Sequence, residues 1–173
     1  MNTDNNRPNT PQIALSDRQD IITNYMHLGL LPFFIGAFGP WVFIADEPFF
    51  IQSFLFYSSL IFVFLAGTLW ATALFSTPKN SELQNTKTDH NRSHTIHVAM
   101  VFSLWPLGCY FLAPLPATGL MLLGFLLLLL WEKKHINQYY PAWYIALRHK
   151  ITFIVIACHM LTILNIIRTD TLI

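Results

Sequence analysis

Five uninterrupted apolar runs constrain this chain more than any other feature. They are Met26 to Ala45, Phe49 to Phe75, His97 to Ala113, Pro116 to Trp131 and Ile151 to Ile167, and none holds an internal Asp, Glu, Lys or Arg. A helix rising 1.5 Å per residue needs roughly 17 to 25 such residues to cross about 30 Å of hydrocarbon. Each run meets or approaches that length. Only 11% of the residues are charged and 54% are hydrophobic, against about 25% charged in soluble domains. The expected fold is therefore all-α, a polytopic transmembrane helical bundle of about five spans, with the lipid bilayer as its first partner.

The connections refine this picture. Asp46-Glu47-Pro48 joins the first and second runs, and Pro114-Leu115-Pro116 the third and fourth, so both pairs read as tight helical hairpins. Pro106, Pro114 and Pro116 leave a second option for the third and fourth runs, a broken or re-entrant pair, because proline interrupts helical bonding. Arg7 and Arg18 precede the first run. Lys79, Lys87 and Arg92 lie between the second and third, and Lys133, Lys134, Arg148 and Lys150 between the fourth and fifth. Those three segments share one side of the membrane, while Arg168 stands alone on the other. By the positive-inside rule this split places the N-terminus in the cytoplasm and the C-terminus outside, in a multi-pass protein of the bacterial inner membrane.

Residues 1–24 are rich in Asn, Thr, Asp and Pro and read as a disordered cytoplasmic tail. Ser16-Asp17-Arg18-Gln19 has capping-box spacing, from which a short helix leads into the first span. Neither a secretory signal nor a transit peptide is expected. Residues 25–168 form one transmembrane domain and 169–173 a short tail. Ser76 to Thr95 reads as a polar, flexible loop.

Several functional classes find no support. Ten Lys and Arg against nine Asp and Glu leave a net charge of +1, too little to attract nucleic acid by counterion release. Cys109 and Cys158 lie in apolar runs without disulfide or metal spacing. His90, His94 and His97 share a helical spacing, but their apparent place in a loop offers no scaffold for a metal site. No activated nucleophile and no carboxylate pair within a span supports an enzyme. No cofactor is expected.

Three sets of residues remain as candidates. Gly29, Gly36 and Gly39, with Pro32, line one face of the first run, and Gly67 with Ala71 forms a small-x-x-x-small pair on the second. Such faces allow close helix packing, either within the chain or against a partner helix or flat ligand. Glu132 to Lys150 mixes aromatic and cationic residues, so Trp143, Tyr144 and Arg148 are expected at the headgroup level, as membrane anchors or a docking surface.

His159 is the ionisable group nearest the middle of a span. Thr152, Cys158, His159, Thr162 and Asn165 fall in one sector of the fifth run, while Phe153, Ala157, Met160, Leu161 and Leu164 occupy the rest. The histidine reads either as a neutral ring bonded to a neighbouring helix or as a proton relay, haem ligand or quinone hydrogen-bond donor. A bis-histidine haem lacks a second histidine at matching depth, because His27 and His97 sit near span ends.

Three motifs carry a family resemblance. Leu28-Gly29-Leu30-Leu31-Pro32-Phe33, Phe64-Leu65-Ala66-Gly67-Thr68-Leu69-Trp70 and Pro141-x-Trp143-Tyr144-x-x-Leu147-Arg148-x-x-Ile151-Thr152 resemble, in order, those of the uncharacterised bacterial and mitochondrial membrane proteins typified by transmembrane protein 69. Members often carry a histidine before the second-helix tryptophan, where this chain has Leu69. The resemblance implies a small multi-helix inner-membrane protein and supplies no activity. Two functions stay open: a non-enzymatic accessory or assembly component contacting membrane-protein partners or its own copies, and a small transporter or ligand- or proton-handling protein using the face around His159.

Overall fold

The computed structural model describes residues 10–75, 85–135 and 140–171. Six helices appear in order: α1 (Thr10–Leu28), α2 (Leu31–Val42), α3 (Glu47–Phe75), α4 (Asn85–Tyr110), α5 (Pro114–His135) and α6 (Ala142–Asp170), with one 3-10 turn at Ile44–Asp46. No strand occurs among the described residues. The fold is the expected all-α bundle. α3 packs against α2, α4 and α5, α6 packs against α2 and α5, and α1 rests on α6.

The first expected span is not one continuous helix. Pro32 has no N–H to give the Leu28 carbonyl, and its ring crowds that carbonyl, so the ladder stops. The last bonds before the break are Gly29 N–H to Tyr25 and Leu30 N–H to His27. Tyr57 of α3 then donates its hydroxyl to the Gly29 carbonyl at 2.8 Å, tying the break to the bundle. The second segment, α2, has 12 residues and rises only about 18 Å.

Polar stretches are more helical than their composition suggests. α1 begins at Thr10, ahead of the Ser16 capping box, so the expected disorder of residues 1–24 gives way to helix from Thr10 on; residues 1–9 lie outside the described residues. α4 begins at Asn85, so the expected loop Ser76 to Thr95 is helical from there, and 76–84 lie outside. Helix propagation costs little once a neighbouring apolar turn has nucleated it, which lets both helices extend into polar sequence.

Four segments are long and apolar enough to cross a membrane: Arg18–Val42, Ile44–Phe75, Pro114–His135 and Ala142–Thr169. The run His97 to Ala113, expected as the third of five spans, is not among them. It forms the second half of α4, which rises about 21 Å from His97 to Tyr110 and follows a polar first half. α4 runs unbroken through Pro106, and α5 starts at Pro114 with Pro116 in its first turn, where a missing N–H is harmless. No broken pair forms there.

Phenylalanines fill the centre. Phe33, Phe54, Phe62 and Phe125 are fully buried. Phe33 meets Phe54 and Phe125 edge to face at 5.8 and 6.4 Å, and Phe62 meets Phe125 at 5.1 Å and Phe102 of α4 at 5.9 Å. Each such contact adds about 0.5–1.5 kcal/mol beyond area burial. The rings lock α2, α3, α4 and α5 around one point.

Candidate functional site

α6 carries a line of buried polar side chains from one end of the bundle to the other. Arg148, Thr152, His159, Thr162 and Asn165 are all buried, whereas Phe153, Met160 and Leu164 are 62%, 51% and 56% exposed. The expected polar sector therefore faces the other helices, because lipid offers these groups no hydrogen-bond partner. Thr152 and Thr162 satisfy themselves on the carbonyls one turn back, of Arg148 and Cys158. Arg148, His159 and Asn165 reach across to other helices.

At one end, the Arg148 guanidinium grips Glu132 of α5. Nε donates to Oε2 at 2.6 Å and Nη2 to Oε1, while Nη2 also reaches Thr68 of α3 and Nη1 the Tyr144 hydroxyl, each at 3.2 Å. Two parallel bonds to one carboxylate are the strongest geometry arginine offers. Arg148 was expected among lipid headgroups or against a partner. It is instead 8% exposed, and Glu132 7%. A carboxylate sixteen positions earlier cannot be matched to it from spacing alone, and only the α5–α6 turn brings the two together.

Around this pair, Tyr140 shares a 2.5 Å hydrogen bond with Thr72 of α3, and a cavity of about 20 Å³ beside Tyr140, Tyr144 and Arg148 has room for one water. Trp143 is half-buried and sets its ring against Tyr144. The aromatic cluster thus braces the ion pair from α6's first turn.

Midway along α6, His159 is fully buried among Phe33, Phe54 and Phe125, with ring centroids 6.2, 4.7 and 5.3 Å away. Its Nδ1 lies 2.8 Å from the Val155 carbonyl and its Nε2 2.8 Å from Ser58 Oγ of α3. A carbonyl only accepts, so Nδ1 carries the proton, and in the neutral ring Nε2 accepts from the serine hydroxyl. Both ring nitrogens are used. His27 and His97 each bond the carbonyl one turn back on their own helices and are exposed. Of the metal spacing, His94 and His97 do stand on one helix after all, and the side chain of His90 lies outside the described residues. Among the described residues no group of three or more His, Cys, Asp or Glu is gathered for a metal.

At the far end, Glu47 at the start of α3 is 7% exposed and accepts from the Thr169 hydroxyl at 2.8 Å and, at 3.5 Å, from Asn165. Arg168 donates to Asn165 Oδ1 at 2.9 Å and lies over the Trp41 ring of α2 at 4.3 Å, a cation–π contact. This anchor was not legible in sequence, because Glu47 reads as a loop residue beside Pro48.

The glycines divide into two groups. A Cβ on Gly36 falls 2.9 Å from Phe54 Cβ and 3.2 Å from its Cα, and one on Gly39 collides with the Phe50 ring, so α2 needs both to approach α3. Gly29 has ordinary room, its nearest neighbours being its own preceding turn at 3.5 Å. Gly67 and Ala71 are exposed, and nothing lies within 4 Å of a Cβ on Gly67. Among the described residues, none packs into the space beside Gly67. A glycine without an assigned face, Gly124, proves essential instead: it lets the Trp105 indole of α4 cross α5 and donate to the Leu120 carbonyl at 3.0 Å, where a Cβ would sit 2.8 Å from Nε1.

The sequence profile of the family described as protein of unknown function (DUF3429) matches residues 21–164. The chain belongs to that family. As the three motifs implied, the DUF3429 family carries no assigned activity. The matched stretch holds the Gly29 break, the Arg148–Glu132 pair and the His159–Ser58 bond, while Asn165, Arg168 and Thr169 follow it. Among curated proteins and among solved structures, none gives a significant match.

Proposed function

We propose that this DUF3429 protein is a non-enzymatic accessory or assembly component of the bacterial inner membrane, acting through helix contact with partner membrane proteins or with its own copies. The open face of α3 carries the reading. Leu60, Phe64, Gly67 and Ala71 recur at intervals of four, three and four, which sets them along one side of the helix, and all are exposed. Glycine in mid-helix costs about 0.5–1 kcal/mol relative to alanine, and among the described residues no neighbour uses the space that Gly67 leaves. Close approach of another helix uses it. The nine cations before Arg168 favour a cytoplasmic N-terminus.

The second reading, a transporter or a ligand- or proton-handling protein built on His159, draws on the buried polar line of α6. The two hydrogen bonds of the imidazole and its phenylalanine cage weigh against it, since proton transfer needs a free nitrogen or a connected path. The test compares tagged wild type with Gly67→Leu and His159→Gln after gentle detergent extraction, reading co-purified membrane proteins and a growth phenotype together. Loss of partners with Gly67→Leu is expected. Loss of function confined to His159→Gln, with every partner retained, overturns the reading.

A further inference from the structure

A cavity of about 410 Å³ lies between α1, α3 and α6, within the range of about 300–1,000 Å³ typical of small-molecule sites. Fully buried Phe33 and Phe125 line it, with Ile61 of α3 and Val155 of α6. Its polar lining comes from Tyr144 and Arg148, one turn apart on α6, and from Thr152, whose hydroxyl is spent on the Arg148 carbonyl. It opens on the outer surface of the bundle, for Tyr25 of α1 and Phe64 of α3 border the cavity and are 70% and 68% exposed. A molecule dissolved in the bilayer reaches this space sideways.

The polar lining selects the head. Arg148 spends Nε and Nη2 on Glu132 and Thr68, but Nη1 bears a second N–H beyond its bond to Tyr144, and the Tyr144 hydroxyl, an acceptor in that bond, keeps its own proton. The lining therefore presents donors. Its charge is already balanced by Glu132, and a second buried anion beside that carboxylate carries a heavy desolvation cost. The preferred head is thus an uncharged acceptor.

We propose that this cavity binds one membrane-dissolved molecule with an uncharged carbonyl-bearing head and an apolar tail, its carbonyl on Tyr144 and Arg148 and its tail leaving between Tyr25 and Phe64. An isoprenoid quinone and the ester head of a diacylglycerol share this chemistry. The site goes beyond the helix-contact reading: Phe64 borders both surfaces, but Gly67 and Ala71 are not part of the cavity lining, so Gly67→Leu tests the one and Ile61→Trp the other.

The experiment titrates purified full-length protein in detergent with decylbenzoquinone, with dioctanoylglycerol, and with decane as a tail lacking a carbonyl, counting bound molecules by native mass spectrometry. One equivalent of a carbonyl-bearing probe and none of decane is expected, and the probe that competes out the other identifies the source. Ile61→Trp should fill the cavity and abolish binding. Tyr144→Phe should weaken it about fivefold, the effect of one hydrogen bond. Ile22→Trp, on the peripheral α1, repeats the filling test should Ile61→Trp fail to fold. Equal binding of decane, no stoichiometric binding of either carbonyl probe, or undiminished binding to a folded cavity-filled variant overturns the proposal.

Discussion

Arg148 of α6 and Glu132 of α5 face each other as fork and carboxylate, each oxygen taking one N–H donor, in a setting where both residues are buried. The pair clamps the α5–α6 hairpin at the end where Tyr140 and Thr72 also meet. Removing one member strands the other charge, at a cost of about 3–5 kcal/mol, while replacing both with apolar residues of similar size is often close to neutral. Arg148→Met alone should therefore sharply lower the melting temperature in detergent, and the double variant Arg148→Met with Glu132→Leu should recover most of it. A double variant no better than the single one would show that the two charges are not coupled.

Ser58 and His159 make a smaller tie of the same kind. Ser58→Ala leaves Nε2 buried without its donor, at about 1–3 kcal/mol. His159→Gln keeps a neutral polar group that can reach Ser58 and should be the milder change. Thermal unfolding of the two variants side by side checks the order. The reverse order would place the weight on the ring's contacts with Phe33, Phe54 and Phe125.

The two groups of glycines should separate cleanly. Gly36→Leu drives a side chain into Phe54 and its backbone, where overpacking costs about 1–3 kcal/mol or more, so accumulation and thermal stability should both fall. Gly67→Leu meets open space and should leave both unchanged. Comparable destabilisation by the two substitutions would contradict the placement of Gly67 on an open face.

Topology has its own measurement. The ring of His94 in the first half of α4 lies 6.4 Å from that of His135 at the end of α5, so α4 runs antiparallel to α5. With α4 crossing as a fifth pass beside the four long apolar segments, a periplasm-active reporter fused after Ile173 should be active, and the same reporter inserted near Gln84 silent. Equal activity at both positions would put an even number of crossings between them, as when α5 and α6 cross and α4 does not.

Much of α6 was legible in the sequence because a helix has one period: a stripe of Thr152, His159, Thr162 and Asn165 against Phe153, Met160 and Leu164 has only one inward orientation in lipid. The break after Leu28 was not read from the run Met26 to Ala45, although Gly29 and Pro32 stand in it. Hydropathy averages over the backbone and does not see a missing N–H. The first half of α4 reads as a loop for the opposite reason, since polar composition reports solvation rather than backbone conformation.

The sequence by itself determined that this chain spans a membrane, that its elements are helices, and which face of the last helix turns inward, because transfer of apolar and polar groups into lipid depends on residue type and period alone. Only the tertiary structure decided that Arg148 belongs to Glu132 rather than to lipid, that His159 belongs to Ser58, that Gly36 is filled by Phe54 while Gly67 stays open, and that a cavity remains beside Tyr144. Each of these depends on which helices become neighbours and at what rotation. In a bilayer many apolar surfaces are equally content against lipid, so the choice rests on a few polar pairs and close-packed small residues whose partners lie far away in sequence.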